Sequence, residues 1–242
     1  GAYGMVGRAA DLGKSHVVAL KKIFDAFQNA TDAQRTFREV MYLHDLNGHA
    51  HIVTLTNVLK ADNDRDLYLT FEYMETDLHA AIRANVLQDV HMRYVTWQTL
   101  VAIKYMHSAG LLHRDIKPSN LLLDANCLMK VADFGLARSL DELEAATAGA
   151  DEDADAPVLT DYVATRWYRP PEILMGAGRY TFGVDMWSVG CILGEMLSSR
   201  AIFAGDSTLH QLEVIVERVG TPTPAEVAAI GSKHAHATDR TR

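Results

Sequence analysis

The sequence has 242 residues, 48% hydrophobic and 22% charged, the balance of a folded globular protein and not of a disordered chain. Its net charge of -8 has one local source, Asp141, Glu142, Glu144, Asp151, Glu152, Asp153, Asp155 and Asp161 in a stretch without Lys or Arg; the other 23 acidic residues balance 23 basic ones, so nothing points to a nucleic-acid-binding surface. No apolar run approaches the roughly 20 residues of a membrane helix, and there is no secretory signal.

The chain opens on Gly1-Ala2-Tyr3-Gly4-Met5-Val6, inside a glycine motif and without Met, so it reads as a fragment. Residues 17–20 and 67–71 are short apolar or β-branched runs of strand length. Between them, Thr31-Asp32 can cap a helix in which Phe37, Val40, Met41 and His44 share a face. After Glu72 the character changes: 89–110 and 182–198 are long helical patterns, the second without a breaker until Gly205. Strands first and helices after predict an α+β protein of two lobes, 1–73 and 74–242, with a hinge at 72–76. Residues 145–157, rich in Ala, Asp and Glu, read as a mobile loop. Cys127 and Cys191 lie far apart without metal-type spacing and the eleven histidines are scattered, which predicts reduced thiols in an intracellular protein.

The chemistry concentrates in His113-Arg114-Asp115-Ile116-Lys117-Pro118-Ser119-Asn120, followed thirteen residues after Asn120 by Asp133-Phe134-Gly135. A Ser or Thr hydroxyl is a poor nucleophile and the phosphate it attacks is anionic. Asp115 suits a base that orients such a hydroxyl and accepts its proton. Lys117 can offset charge on the transferred phosphate. Asn120 offers a neutral oxygen and Asp133 a carboxylate, donors that suit Mg²⁺. Each residue alone is most simply a turn or cap residue, but the combination matches the protein-kinase signature set. Upstream, the glycines precede Val18-Ala19-Leu20-Lys21, a strand ending in lysine, and Arg38-Glu39-Val40 offers that lysine a glutamate partner.

From Gly1 to about Val219 the sequence therefore resembles the eukaryotic protein kinases. Within them it resembles the MAP kinases: Thr160-Asp161-Tyr162 is a T-x-Y lip, followed by Val163-Ala164-Thr165-Arg166-Trp167-Tyr168-Arg169, and Met74-Glu75-Thr76-Asp77-Leu78 follows the hinge. Residues 87–91, 124–127 and 207–213 resemble the atypical extracellular-signal-regulated kinase branch, types seven and eight. The resemblance implies a bilobal kinase fold, a β-rich N-lobe with one helix and a helical C-lobe, lacking the first strand and last helices, with an activation segment over 133–172. It implies ATP and Mg²⁺ as cofactors, held by Gly1, Gly4, Val6, Ala19, Lys21, Phe71, Glu72, Met74, Asp77, Leu122 and Asp133, the metal on Asn120 and Asp133. Phe71 stands at the gatekeeper position, and 72–74 present backbone groups to adenine. His113, Phe134, Leu43 and Leu55 match the stacked side chains that join the lobes, and Asp185 matches the buried anchor of the catalytic loop.

The resemblance also implies phosphorylation of Thr160 and Tyr162, by the protein itself or by an upstream kinase. Arg35, Arg38, Arg114 and Arg138 would receive the first phosphate, and Arg166 and Arg169 the second. The expected partners are proteins with Ser/Thr-Pro sites, with no nucleic acid and no membrane span, in the cytosol with the nucleus open to it. Pro170-Pro171-Glu172 departs from the family's Ala-Pro-Glu at its first position. Two rivals stand beside this reading. A cyclin-dependent-type kinase is opposed by Tyr162 and by the lack of a recognisable cyclin-binding helix at 34–40. A catalytically silent nucleotide-binding scaffold would need neither Asp115 nor Lys117.

Overall fold

The computed structural model describes residues 4–11, 13, 16–148, 166–177 and 180–230. In chain order they form β1 (Gly4–Asp11), β2 (His16–Ile23), α1 (Ala30–Asp45), β3 (Leu55–Lys60), β4 (Leu67–Glu72), β5 (Thr76–Asp77), α2 (Leu78–Arg83), α3 (Asp89–Ser108), β6 (Leu111–Leu112), β7 (Leu121–Leu123), β8 (Met129–Val131), β9 (Arg138–Ser139), α4 (Leu140–Ala148), α5 (Pro171–Leu174), α6 (Gly183–Ser198), α7 (Thr208–Val219) and α8 (Pro224–Ile230). Antiparallel strands dominate early and helices later, as the α+β reading expects. The chain divides into two compact units, Gly1–Met106 with Pro118–Ala137, and His107–Lys117 with Arg138–Arg242.

In the first unit an antiparallel sheet runs in the order β1-β2-β4-β3. Val6 pairs with Lys21, and Ala19 with Phe71. Side chains alternate along a strand, so this register sets Val6, Ala19, Lys21, Leu69 and Phe71 on one face. A second sheet, β5-β7-β8, sets Leu122 between Asp77 and Lys130. It is joined to 51–53 by a parallel bridge between Ile52 and Val131 and by hydrogen bonds of Val53 N to Val131 O and Val131 N to His51 O, both 2.9 Å. These ties explain why the compact unit passes beyond residue 73.

Helix α1 forms, but its start and its buried face differ from the sequence expectation. Its cap is Asn29, whose Oδ1 accepts the Asp32 N–H at 2.8 Å, so Thr31 and Asp32 lie inside the first turn. The buried face carries Thr36, Glu39 and Leu43, whereas Phe37 is 65% exposed. Apolar periodicity misleads here because Glu39 is drawn inward by its lysine partner, and the apolar stripe turns outward with the rotation that this requires.

In the second unit, Leu112, Leu143 and Val184 form a core against which Leu140, Ile173, Tyr180 and Phe182 pack. The run 145–157 is not a loop from its start: Ala145 and its three successors complete α4, whose first turn has Ser139 Oγ accepting the Glu142 N–H at 3.2 Å. Ala and Glu are strong helix formers, and that local preference prevails there. Helix α6 ends at Ser199 in the left-handed region, φ 57°, a stop that no glycine signals. Among the described residues, no helix is long and apolar enough to cross a membrane.

Candidate active site

Lys21 lies in β2, two residues before its end at Ile23, and α1 brings Glu39 to it. Lys21 Nζ donates to both Glu39 carboxylate oxygens, at 2.6 and 2.8 Å, with Glu39 only 4% exposed. Burial by itself would lower the Lys21 pKa, but the Glu39 and Asp133 carboxylates outweigh it and raise it, so the ammonium persists. Asp133 is thus close enough to act electrostatically on Lys21. It sits in the left-handed region at φ 66°, opening the turn Phe134–Leu136, on which α1 packs. Phe134 is fully buried, and a Cβ on Gly135 would stand 2.9 Å from Arg35 Cγ, so only glycine lets the turn and helix meet this closely. Asn120 is 6% exposed, closes a 3₁₀ turn and accepts the Ala132 N–H on its carbonyl at 2.9 Å.

The second unit holds the other half of the signature. Asp185, fully buried at the start of α6, accepts the backbone N–H groups of His113 and Arg114 on its two oxygens, at 3.0 and 2.9 Å. Those bonds fix the backbone just before Asp115, with Arg114 held at φ 66°. Asp115 Oδ2 accepts Lys117 Nζ at 2.7 Å. His113 is fully buried and its Nδ1 accepts the Asp115 N–H at 3.3 Å, a packing and bracing position.

The remaining sequence candidates take varied places. Gly4 and Val6 lie on β1, and Phe71 is 8% exposed at the end of β4. Asp77 Oδ1 caps α2 through the Ala80 N–H at 2.9 Å, a structural task for its side chain. Arg35 and Arg38 belong to the first unit, Arg114 and Arg138 to the second. Arg114 lies over the Tyr180 ring at 4.4 Å and donates to its hydroxyl at 3.1 Å. Arg166 donates to the Asp206 carbonyl at 2.9 Å, and Arg169 is half-buried. Gly1, Thr160 and Tyr162 lie outside the described residues.

Three supporting groups escaped the sequence reading. His107 Nε2 lies 2.9 Å from Asp185 Oδ2, a third partner for the anchor. Tyr168 OH donates to the buried Glu195 carboxylate at 2.6 Å, and Lys130 pairs with Glu72 at 3.0 Å. Each pair joins distant positions, and no local pattern marks it.

The donor set suits a magnesium–nucleotide complex. Among the described residues no three His, Cys, Asp or Glu side chains gather into a metal cage. One carboxylate at Asp133 and one amide oxygen at Asn120 are what Mg²⁺ takes when phosphates complete its shell.

Residues 1–236 match the family model of the protein kinase domain. The chain is 62% identical over 235 residues to extracellular signal-regulated kinase 2 of Dictyostelium discoideum, covering 97% of this chain and 62% of that protein. It is 55% identical over 235 residues to mitogen-activated protein kinase 15 of Xenopus laevis, covering 97% and 39%. Extracellular signal-regulated kinase 7 of Drosophila melanogaster is 52% identical over 232 residues, covering 96% and 25%. The chain thus spans under two thirds of the length of each of these relatives. The signature residues, their geometry and a match over nearly every residue agree: the chain belongs to the protein kinase family, with MAP kinases among its near relatives.

Proposed function

We propose that this chain is the catalytic part of a MAP-kinase-type serine/threonine kinase, transferring the γ-phosphate of ATP to Ser or Thr followed by Pro. The observation that carries the reading is the Asp115–Lys117 pair at 2.7 Å on a backbone locked by Asp185. Asp115 orients the attacking hydroxyl and takes its proton as the new O–P bond forms and the bond to the ADP oxygen breaks. Lys117 neutralises charge on the transferred group, and Lys21, held by Glu39, holds the α/β-phosphates. Asn120 and Asp133 would hold Mg²⁺, which when bound neutralises phosphate charge and fixes its orientation. Gly4, Val6, Ala19, Phe71, Leu122 and the backbone at 72–74 receive the nucleotide in this reading. Its lobes are 1–73 and 74–242, with an activation segment over 133–172.

Phosphorylation of Thr160 and Tyr162, by the protein itself or by an upstream kinase, regulates it. Two free thiols and dependence on ATP favour the cytosol, with the nucleus open to it. The test uses the dephosphorylated full-length protein with Mg-ATP and a Ser-Pro peptide, beside Asp115→Asn and Asp133→Ala. Peptide phosphorylation by the unmutated protein alone, with new phosphate on Thr160 and Tyr162, is the expected result. Equal transfer by Asp115→Asn would overturn the assignment, and nucleotide binding without transfer, even from protein phosphorylated on both lip residues, would favour the scaffold.

A further inference from the structure

Lys130 lies in the middle of β8 yet is only 8% exposed. A lysine is rarely buried in a strand without a counterion, because its charge loses hydration. Its flanking residues Met129 and Val131 are fully buried on the opposite side of the strand. Lys130 instead reaches the Glu72 carboxylate, Nζ to Oε1 at 3.0 Å.

That carboxylate also finishes the larger sheet. The ladder of β3 with β4 includes the pair Leu55–Phe71, and one step beyond it stand Thr54 and Glu72. There the Glu72 N–H donates to the Thr54 carbonyl at 3.2 Å, and the Thr54 N–H donates to Glu72 Oε1 at 2.6 Å. A side-chain oxygen therefore accepts the bond that a backbone carbonyl would take in a continued ladder. Its position depends on the Glu72 rotamer, and Lys130 holds that rotamer. Residues 51–53 are stitched to Val131 on the same strand, so Lys130 and its neighbour secure both partners of this last sheet pair. Immediately after Glu72 the chain leaves the sheet through Tyr73 and Met74, the backbone assigned above to the adenine edge.

We infer that Lys130 is a positioning residue for nucleotide binding: through the Glu72 carboxylate and the Thr54 amide it holds the sheet end that presents the 72–74 backbone to adenine. The inference rests on the kinase reading of this site. Lys130 touches no reacting atom, so its loss weakens nucleotide binding and leaves the chemical step in place. A charge-retaining arginine preserves the contact.

The experiment measures MgADP affinity by calorimetry, and KM for ATP and kcat by peptide phosphorylation, in the full-length protein and its variants. Lys130→Met raises the MgADP dissociation constant and KM about fivefold, within the coupling range of residues in direct contact, while kcat holds. Lys130→Arg restores both. Glu72→Gln/Lys130→Met, which leaves no buried charge unpaired, is folded and binds MgADP as weakly as Lys130→Met, not more so. Amide exchange at Thr54 quickens in Lys130→Met and in the double variant, and returns to normal in Lys130→Arg. Unchanged affinity in a folded Lys130→Met or double variant overturns the inference, as does a change confined to kcat or a failure of arginine to restore binding. If the unmutated protein binds no MgADP, the nucleotide-binding reading itself falls; if it binds and the variants match it, only the role of Lys130 falls.

Discussion

Lys21 and Glu39 are joined by two hydrogen bonds, 2.6 and 2.8 Å, across 18 residues of sequence. Glu39 is buried and Lys21 partly so, and removing either partner leaves the other's charge in a medium that solvates it poorly. Both groups also feel Asp133, so the strand lysine, the helix glutamate and the turn that opens at Asp133 form one electrostatic unit. Lys21→Met is expected to lower kcat by about a hundredfold, the scale of losing one preorganised charge contact. Glu39→Gln should cost less, because its amide oxygen still accepts from the lysine. Initial rates with saturating ATP, alongside circular dichroism to show intact folding, provide the check; a Lys21→Met protein with ordinary kcat would remove the lysine from phosphate binding.

Tyr168 and Glu195 make a second buried pair, 2.6 Å apart. Burial and the neighbouring Glu195 carboxylate keep the phenol protonated far above its ordinary range, so it is a constant donor. Tyr168→Phe leaves the carboxylate short of a partner and should lower the unfolding free energy by about 2 kcal/mol. Urea titration of the two proteins measures it. One helical turn before Glu195, burial first and the same carboxylate second push the Cys191 thiol up to about 12, leaving almost no thiolate near neutral pH. Iodoacetamide should therefore spare Cys191 in the native protein and modify it after unfolding, with half-buried Cys127 reacting earlier. Mass spectrometry of a time course would show the opposite order if Cys191 were accessible.

The signature residues were legible because their chemistry dictates short, fixed spacings, and the strand and helix runs around them were long enough to read. The outward turn of Phe37 and Met41 was not legible. Periodicity finds an apolar stripe but not the competing force, here the Lys21–Glu39 ion pair, that decides which face turns inward. Long-range partners were hidden for another reason. His107 meets Asp185 across 78 residues and Tyr168 meets Glu195 across 27, and pairs so separated leave no local pattern. Asp185 could be found only through the family resemblance, and its histidine partner not at all. Helix α4 shows the reverse case, where local preference of Ala and Glu defeated a compositional reading of 145–148 as loop.

Acid sensitivity should have a contribution from Asp66. Its carboxylate accepts the Asp25 backbone N–H at 3.0 Å, and the side chains of Lys22 at 2.9 Å and Asn63 at 3.0 Å. Chiefly the backbone bond, then the lysine and asparagine, lower its pKa from 3.8 to about 2. A carboxyl with a depressed folded pKa stabilises the native state fully above its unfolded value and loses that contribution as the pH falls through the folded one. The contribution is therefore complete above pH 3.8 and fades toward pH of about 2. Asp66→Asn should melt at a lower temperature at neutral pH, with the gap narrowing through that acid window. Thermal melts of both proteins across the window test the sign, and a gap that widens on acidification would exclude Asp66 as its source.

Gly205 sets a steric demand of a different kind. Its N–H donates to Gln211 Oε1 at 2.9 Å, while Gln211 Nε2 donates to the Phe203 carbonyl at 2.9 Å and the glutamine is fully buried. The loop is thereby drawn onto the start of α7, and a Cβ on Gly205 would fall on the Gln211 backbone itself. Backbone inside a helix cannot swing aside as the end of a side chain can. The neighbouring loop carbonyls would move as well: Gly205 O accepts Trp167 Nε1 at 3.1 Å, and Asp206 O accepts Arg166 Nη1 at 2.9 Å. Gly205→Ala is therefore expected to destabilise the protein by about 3 kcal/mol, at the upper end for overpacking. Gly190→Ala on α6 is the contrast, since a Cβ there meets nothing within 4 Å and alanine favours a helix. Denaturant unfolding of both variants separates the two cases. Because Arg166 and Trp167 lean on the 205–206 carbonyls, Gly205→Ala should also impair peptide phosphorylation more than its stability loss accounts for, whereas Gly190→Ala leaves it unchanged; equal activity in the two folded variants would show that the loop serves stability alone.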